Sequence, residues 1–302
     1  MDEVVPLSPA QRTEFESAMK AQDYTRAETL LVKAIEANPK SYALLKLAGG
    51  VFFLDNKYFN SALAFKKAEL VEPLDETSRF TLAMAFLAGG RADGARIELE
   101  KLAEAFPKTS LYAYWLARLD YDDQKFEAAV ELLNKAIALT PDYMKAHDNL
   151  GLCLEALGRY DEAAESYQEA IRLNRLQKTG SAWPPLNLGV MLLKLGKGGE
   201  AEEYLREALR YDPGFAEAHY RLGMLLEKKG EAEEAIAELK RAAALDTAYP
   251  EPQYALARLY RKTGDMENAK AALRDFQRRK REKEKEEGGH RQHARGQREG
   301  KE

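Results

Sequence analysis

A few stretches carry residue types that could do chemistry. LGKGGEAE (195–202) is glycine-rich and contains Gly-Lys, the start of a phosphate cradle. A phosphate loop needs G-x4-G-K-[ST] between a strand and a helix. Gly189 is too far back and Gly198 follows the lysine, so the segment reads as an inter-helix turn. His290 and His293 are close enough to bind a metal weakly, but no further ligands are set near them. His147 and His219 share one slot of a repeating pattern, where packing accounts for them. Cys153 is the single cysteine, which rules out an internal disulfide. It lies on a helix interior face with no histidine or acid at a meaningful offset, and reads as an inert thiol. RRKREKEK (278–285) is similar to a basic targeting patch, yet its interleaved glutamates suit a solvated helix end. These readings leave no catalytic, cofactor or metal site, and the chain is expected to be no enzyme.

The elements that hold these residues follow a period. Small residues stand at Gly49, Ala83, Ala117 and Gly151, then at Gly189, Gly223 and Ala257, each 34 positions apart except for one step of 38. A second series, Ala27, Ser61, Ala95, Ala129, Ala163, Ala201, Ala235 and Ala269, slips at the same place. Prolines at 39, 73, 107, 141 and 213 form a third, with Arg175 and Thr247 in the vacant slots. Between Met144 and Leu157 the apolar residues follow helical spacing, and a second run carries Ala164, Tyr167, Ala170 and Ile171 on one stripe. Glycine inside a helix costs roughly 1 kcal/mol relative to alanine. Its return to one slot predicts two helix axes too close for a side chain, with the alanine series on the other side of the contact.

HDNLGLCLEALGRYDEAAESYQEA and HYRLGMLLEKKGEAEEAIAELKRA carry the pattern W-x2-L-G-x2-Y…A-x3-F…A…P. The chain therefore resembles the tetratricopeptide repeat family over about nine-tenths of its length. The resemblance implies an all-α fold: a right-handed α-solenoid, or superhelix, of eight helix-turn-helix units. They are expected at 8–41, 42–75, 76–109, 110–143, 144–177, 182–215, 216–249 and 250–283, after a short N-terminal extension at 1–7. Phe15 stands where the first unit should have its small residue, as suits a terminal cap, and Phe276 replaces the second-helix alanine of the last. The inserted KTGS (178–181) reads as a slightly longer loop, with Ser181 capping the next helix and Pro184 and Pro185 in its first turn. Glu282, Glu284 and Glu287 follow Arg278, Lys280 and Lys283 by four, so the last helix can run on; a disordered charged tail is expected over 284–302.

In this family the first helix of each unit lines a concave face, which implies a groove for a peptide or a partner helix. Alignment places Lys46, Phe53, Phe80, Met84, Tyr114, Arg118 and Tyr121 there in units 2 to 4. In units 5 to 8 it places Asn149, Leu152, Asn187, Val190, Tyr220, Arg221, Met224, Tyr254, Arg258 and Arg261. Aromatics, Met and Arg suit a binding surface, although the same rings could pack as core. Asn149 and Asn187 hold equivalent slots and could clasp a peptide backbone, or bond their own scaffold. Arg221, Arg258 and Arg261 could attract an acidic segment or simply be solvated charge. Members that hold the carboxy-terminus of a heat-shock chaperone use Lys, Asn and Arg on adjacent units. Lys46 matches one position, but Gly50 stands where the asparagine is needed, so that partner is not assigned.

The expected function is a non-catalytic protein–protein interaction scaffold, with no cofactor. The alternative is an accessory subunit of a larger assembly, such as bacterial envelope or secretion machinery, binding through convex or edge surfaces. Net charge is −4, with ten Lys/Arg and six Asp/Glu from Gln277 onward, which leaves the body at −8. That sign disfavours nucleic acid. No stretch approaches the roughly 18–20 apolar residues of a membrane span. The start, MDEVVPLSPAQ, lacks a basic n-region and an apolar h-region, so the sequence as it stands is expected to be cytoplasmic, or periplasmic or exported if a leader has been removed.

Overall fold

The computed structural model describes residues 5–299, with side chains through residue 285. Among the described residues the regular structure is α-helix, in two compact bodies, Met1–Pro141 and Asp142–Glu302. The N-terminal body holds four helix pairs: α1 (Pro9–Lys20) with α2 (Tyr24–Ala37), α3 (Tyr42–Leu54) with α4 (Tyr58–Glu69), α5 (Glu76–Ala88) with α6 (Ala92–Ala105), and α7 (Ser110–Asp122) with α8 (Phe126–Leu139). The C-terminal body holds α9 (Met144–Ala156) with α10 (Tyr160–Gln177), α11 (Trp183–Lys194) with α12 (Gly198–Tyr211), α13 (Ala216–Lys229) with α14 (Ala232–Leu245), and α15 (Glu251–Lys262) with α16 (Met266–Glu299). Within each body, each pair packs on the next in the manner of an α-solenoid. First helices of successive pairs also touch, α3 with α5 in one body, and α9 with α11, α11 with α13 and α13 with α15 in the other.

The small-residue series are the crossing points. The second-helix residues from Ala27 to Ala235 are fully buried. A Cβ on Gly151 would stand 2.5 Å from the Tyr167 ring, and one on Gly49 2.8 Å from Phe65. Ser61, the one hydroxyl in that series, donates to the Gly49 carbonyl at 2.8 Å, which satisfies it without widening the gap. Phe15 is core in the first pair, as the cap reading expects. The chain enters α1 through a capping box: Gln11 N–H donates to Ser8 Oγ and Ser8 N–H to Gln11 Oε1, with Pro9 at the first helical position.

Each pair turns through one residue of positive φ: Gln22, Asn56, Gly90, Gln124, Gly158, Gly196, Gly230 and Gly264. Glycine adopts this conformation at little cost, so the three amide side chains are the strained members.

The insertion differs from its expectation. It lengthens helix rather than loop: α10 has 18 residues where α8, α12 and α14 have 14, so the four extra residues form one added turn. Arg175 occupies the proline slot, so nothing stops the helix there, and Glu207 on α12 takes its guanidinium through two bonds of 2.8 and 2.5 Å. Ser181 does not cap α11. The buried side chain of Asn174 accepts from Ser181 N–H (3.0 Å) and donates to Ser181 O (2.8 Å), which closes the turn, and the cap residue is Ala182. Pro184 and Pro185 do fall in the first turn of α11.

At the other end α16 continues past the last pair, with Arg278–Glu282 at 3.5 Å and Lys280–Glu284 at 4.0 Å. The tail set apart at 284–302 carries the backbone of α16 as far as Glu299, and residues 300–302 lie outside the described residues. No helix among the described residues is long and apolar enough to cross a membrane.

Candidate functional site

In the N-terminal body, α3 and α5 border a pocket of about 640 Å³. Its floor is apolar: Leu47, Val51 and Phe53 from α3, with Met19 from α1 and Val5 from the segment before it. Thr77, Ser78 and Thr81 of α5 form the polar wall. Gly50 opens into this space, and a Cβ added there meets nothing within 4 Å. The glycine that departs from the chaperone-binding pattern is therefore the one whose missing side chain makes the hollow. Lys46 stands on the rim, 2.8 Å from Asp75.

The other expected groove residues of this body are divided between surface and core. Phe80 and Met84 pack against the cluster around Leu99 and Leu116, and Phe80 meets Tyr112 at 5.9 Å between centroids. Tyr114 is only 5% exposed and lies edge-on to Trp115, so its ring has little area to offer a partner. Tyr121 is half-buried against Phe126. Arg118 is exposed, 5.0 Å over the Trp115 ring.

In the C-terminal body the expected polar residues are largely engaged by the scaffold. Asn187 donates to the buried Asp148 carboxylate at 3.0 Å, and Asn149 donates to the Lys145 carbonyl at 2.8 Å. The two asparagines hold equivalent slots but do not make one ladder. Burial drives the Asp148 pKa up to about 6, although the Asn187 bond opposes it. Arg221 pairs with Glu217 one turn before it (3.0 Å), and Arg258 reaches back to Glu227 on α13. Lys194 bonds Glu155 of α9 in the same sense at 2.5 Å. Arg261 is exposed on α15, and Leu152, Val190 and Met224 are half-buried on their first helices.

Aromatic pairs mark this body most strongly. Trp183 meets Phe215 at 4.8 Å, Tyr220 meets Tyr249 at 5.3 Å, and Tyr254 meets Phe276 at 5.3 Å. Phe215, Tyr220, Tyr249, Glu217, Asp246 and Glu251 border a hollow of about 820 Å³. Tyr220 and Glu251 also border a second of about 400 Å³, with Tyr254, Phe276, Lys280 and Lys283. Burial pushes the phenols of Tyr220 and Tyr249 above their usual range. Sequence reasoning named Tyr220 and Tyr254 but missed their partners and the Trp183–Phe215 pair, because Phe215 and Tyr249 close the inter-pair loops and Phe276 sits on a second helix. The recurrence of an aromatic just before the next first helix was the available signal.

Two charged clusters were also missed. Glu98 is 2% exposed and holds Arg79 at 2.6 Å, Lys101 at 3.2 Å and Lys66 at 3.3 Å. Although burial opposes it, Lys66 and Arg79 bring the neighbouring Glu69 down to about 2. His219 and Glu238 occupy the same two slots four pairs later: Nδ1 lies 2.5 Å from Glu238 Oε2 and Nε2 lies 3.0 Å from the Pro213 carbonyl. With an acceptor at each nitrogen the protonated imidazole is favoured, and its pKa rises although burial alone would lower it. Packing is thus half the account of His219; the other half is an ion pair. Cys153 is buried, and burial pushes its thiol up to about 12. Among the described residues no group of three or more His, Cys, Asp or Glu is placed to hold a metal ion.

Comparison with known proteins agrees with this geometry. A family model described as tetratricopeptide repeat matches residues 12–73, 114–177 and 186–250; two others of that description match 77–109 and 228–283. The uncharacterized protein MJ0572 of Methanocaldococcus jannaschii is 43% identical over 49 residues, 16% of this chain. The match spans 57% of that curated relative's length. Among solved structures, a tetratricopeptide repeat protein from Parabacteroides merdae superposes with a TM-score of 0.65 at 16% identity, over 87% of this chain and 98% of that one. PilF of Pseudomonas aeruginosa superposes with a TM-score of 0.61 at 22% identity, over 67% and 90%. At these identities the likeness is one of fold.

Proposed function

Since the chain belongs to the tetratricopeptide repeat family, a family of protein-interaction scaffolds, we propose that it acts without catalysis, by receiving a peptide or partner helix on its first-helix faces. The observation that carries this reading is the hollow at Gly50. It is apolar at the floor, polar along one wall and open where a single missing side chain leaves room. A partner's apolar side chain would fill it, and burial of one such group is worth about 1.5–3 kcal/mol. Lys46 and Asp75 already bond each other at the rim, so a partner's polar group there would have to join or displace that pair.

The Gly50→Phe variant tests it. The new side chain leaves the backbone into open space, its Cβ meeting nothing within 4 Å, so helix content and melting should match or exceed wild type. Capture of the native partner, identified by cross-linking in the host, should be lost. Capture at wild-type strength by a folded Gly50→Phe protein would refute the pocket as the docking place.

A second reading, an accessory subunit that docks through its outer face, has its own observation. Phe59 (65% exposed), Leu63 and Leu70 (87% exposed) lie on or just after α4, with Ile97 exposed on α6. Retained capture by Gly50→Phe together with loss in Phe59→Asp would favour that surface.

A further inference from the structure

We propose that the aromatic face of the C-terminal body binds a proline-rich segment in the extended polyproline II conformation, carrying a basic side chain. The site is separate from the Gly50 pocket and rests on the same reading of the first helices as the docking side. Three consecutive helix pairs each contribute one set of crossed rings: Trp183 with Phe215 at 69°, Tyr220 with Tyr249 at 74°, and Tyr254 with Phe276 at 49°. Tyr220 and Tyr254 are 34 residues apart, in the same slot of α13 and α15, and these two helices touch. Packed helix axes lie about 8–10 Å apart. A polyproline II helix rises about 3.1 Å per residue with three residues per turn, so it repeats every ~9.3 Å. Residues three apart in such a segment therefore come level with the two ring sets built on Tyr220 and Tyr254. The rings of each set touch one another, so the room for a pyrrolidine ring is the aromatic-lined hollow between the sets, bordered by Tyr220, Tyr254 and Phe276, and the ligand arrives already ordered.

The charges select the flank. Glu217, Asp246 and Glu251 line the larger hollow against one cation, Arg221, which Glu217 already engages. A basic side chain next to the prolines finds acceptors there. Lys283 stands at the far side of the smaller hollow, beside the Lys280–Glu284 pair, and would meet a carboxylate, which gives the segment a direction. An acidic segment, the partner that the arginines suggest from sequence, fits less well because Arg221 and Arg258 have carboxylate partners within the scaffold.

The test is fluorescence anisotropy with the full chain and a labelled synthetic peptide that has proline at every third position and arginine at one end. Its partner probe has alanine in place of each proline. Binding of the first at least tenfold tighter than the second is expected. Tyr254→Ala, at a ring 53% exposed and so removable without harm to the core, should weaken the first peptide about tenfold or more. Glu251→Lys should weaken it and leave a version with glutamate for arginine unaffected or tighter. Equal binding of both probes, or unchanged binding in Tyr254→Ala, would overturn the proposal, as would no binding by wild type. Loss of native-partner capture in Gly50→Phe would still stand in those cases, so the two readings fail separately.

Discussion

Replacement of Gly151 by alanine adds one methyl group at the closest crossing in the C-terminal body. The new Cβ would stand 2.5, 2.6 and 2.9 Å from three atoms of the Tyr167 ring, where ordinary contact begins at 3.4 Å. Something must retreat by about 1 Å, and the ring cannot swing easily: it is fully buried, and its hydroxyl donates to Glu155 at 3.0 Å. Overpacking of this kind costs about 1–3 kcal/mol, set against about 1 kcal/mol gained when a helix interior loses a glycine. Gly50→Ala gains the second term without the first, since its Cβ meets nothing. The gap in stability between the two variants therefore isolates the overpacking, and should be about 1–3 kcal/mol with Gly151→Ala the weaker. Gly189→Ala should fall between them, because its nearest neighbours are Leu205 atoms at 3.1 Å. Urea titrations followed by circular dichroism read all three. Coincident midpoints for Gly151→Ala and Gly50→Ala would refute the claim that recurrent small residues mark close helix crossings.

Asp148→Asn should stabilise the protein above neutral pH. The folded state holds the Asp148 proton up to about 6 against an ordinary 3.8, so wild type loses stability as pH rises through that window, by roughly 2–3 kcal/mol; the variant should show a flatter profile in urea midpoints from pH 4 to 8. His219 also binds its proton more tightly when folded. Its pair with Glu238 contributes fully below about pH 6.5 and fades as pH rises through the raised value. His219→Gln should therefore cost more at pH 5.5 than at pH 8.5 in the same assay, and an equal cost at both would contradict the ion pair. Gln124→Gly relieves a side chain at φ 60° and should raise the melting temperature, by up to about 1 kcal/mol of stability; a lower one would mean that the turn is not strained.

The period of 34 made the helix pairs legible, because the small residues, the alanines and the prolines report three separate constraints on one geometry. The same logic failed at the insertion. A missing proline says only that a helix is not stopped, and KTGS has the composition of a loop; Arg175 finding Glu207 32 residues away is what settles the extra turn. Side-chain pairing was the least legible part. Glu98 and Glu238 look like surface acids until folding brings Arg79 and His219 across from 19 residues earlier. Periodicity placed Tyr114, Tyr220 and Tyr254 in one slot, yet Tyr114 is covered beside Trp115 whereas Tyr254, on the last pair among the described residues, is well exposed. The Gly50 hollow was visible only as a departure from another pattern, since an empty volume leaves no residue to read.

The charges that reach across from one pair to the next constrain how the array could be edited. Lys194 answers Glu155, Arg175 answers Glu207, and Lys229 answers Glu202. Each of these contacts is written for one particular neighbour and not for a generic one. Shuffling or duplicating modules of this protein would keep the hydrophobic seams and still strand buried acids such as Glu207 without their cations. The order of the modules is thus fixed by electrostatics on the flanks rather than by the shared packing pattern, and only modules moved together with their neighbours should remain interchangeable.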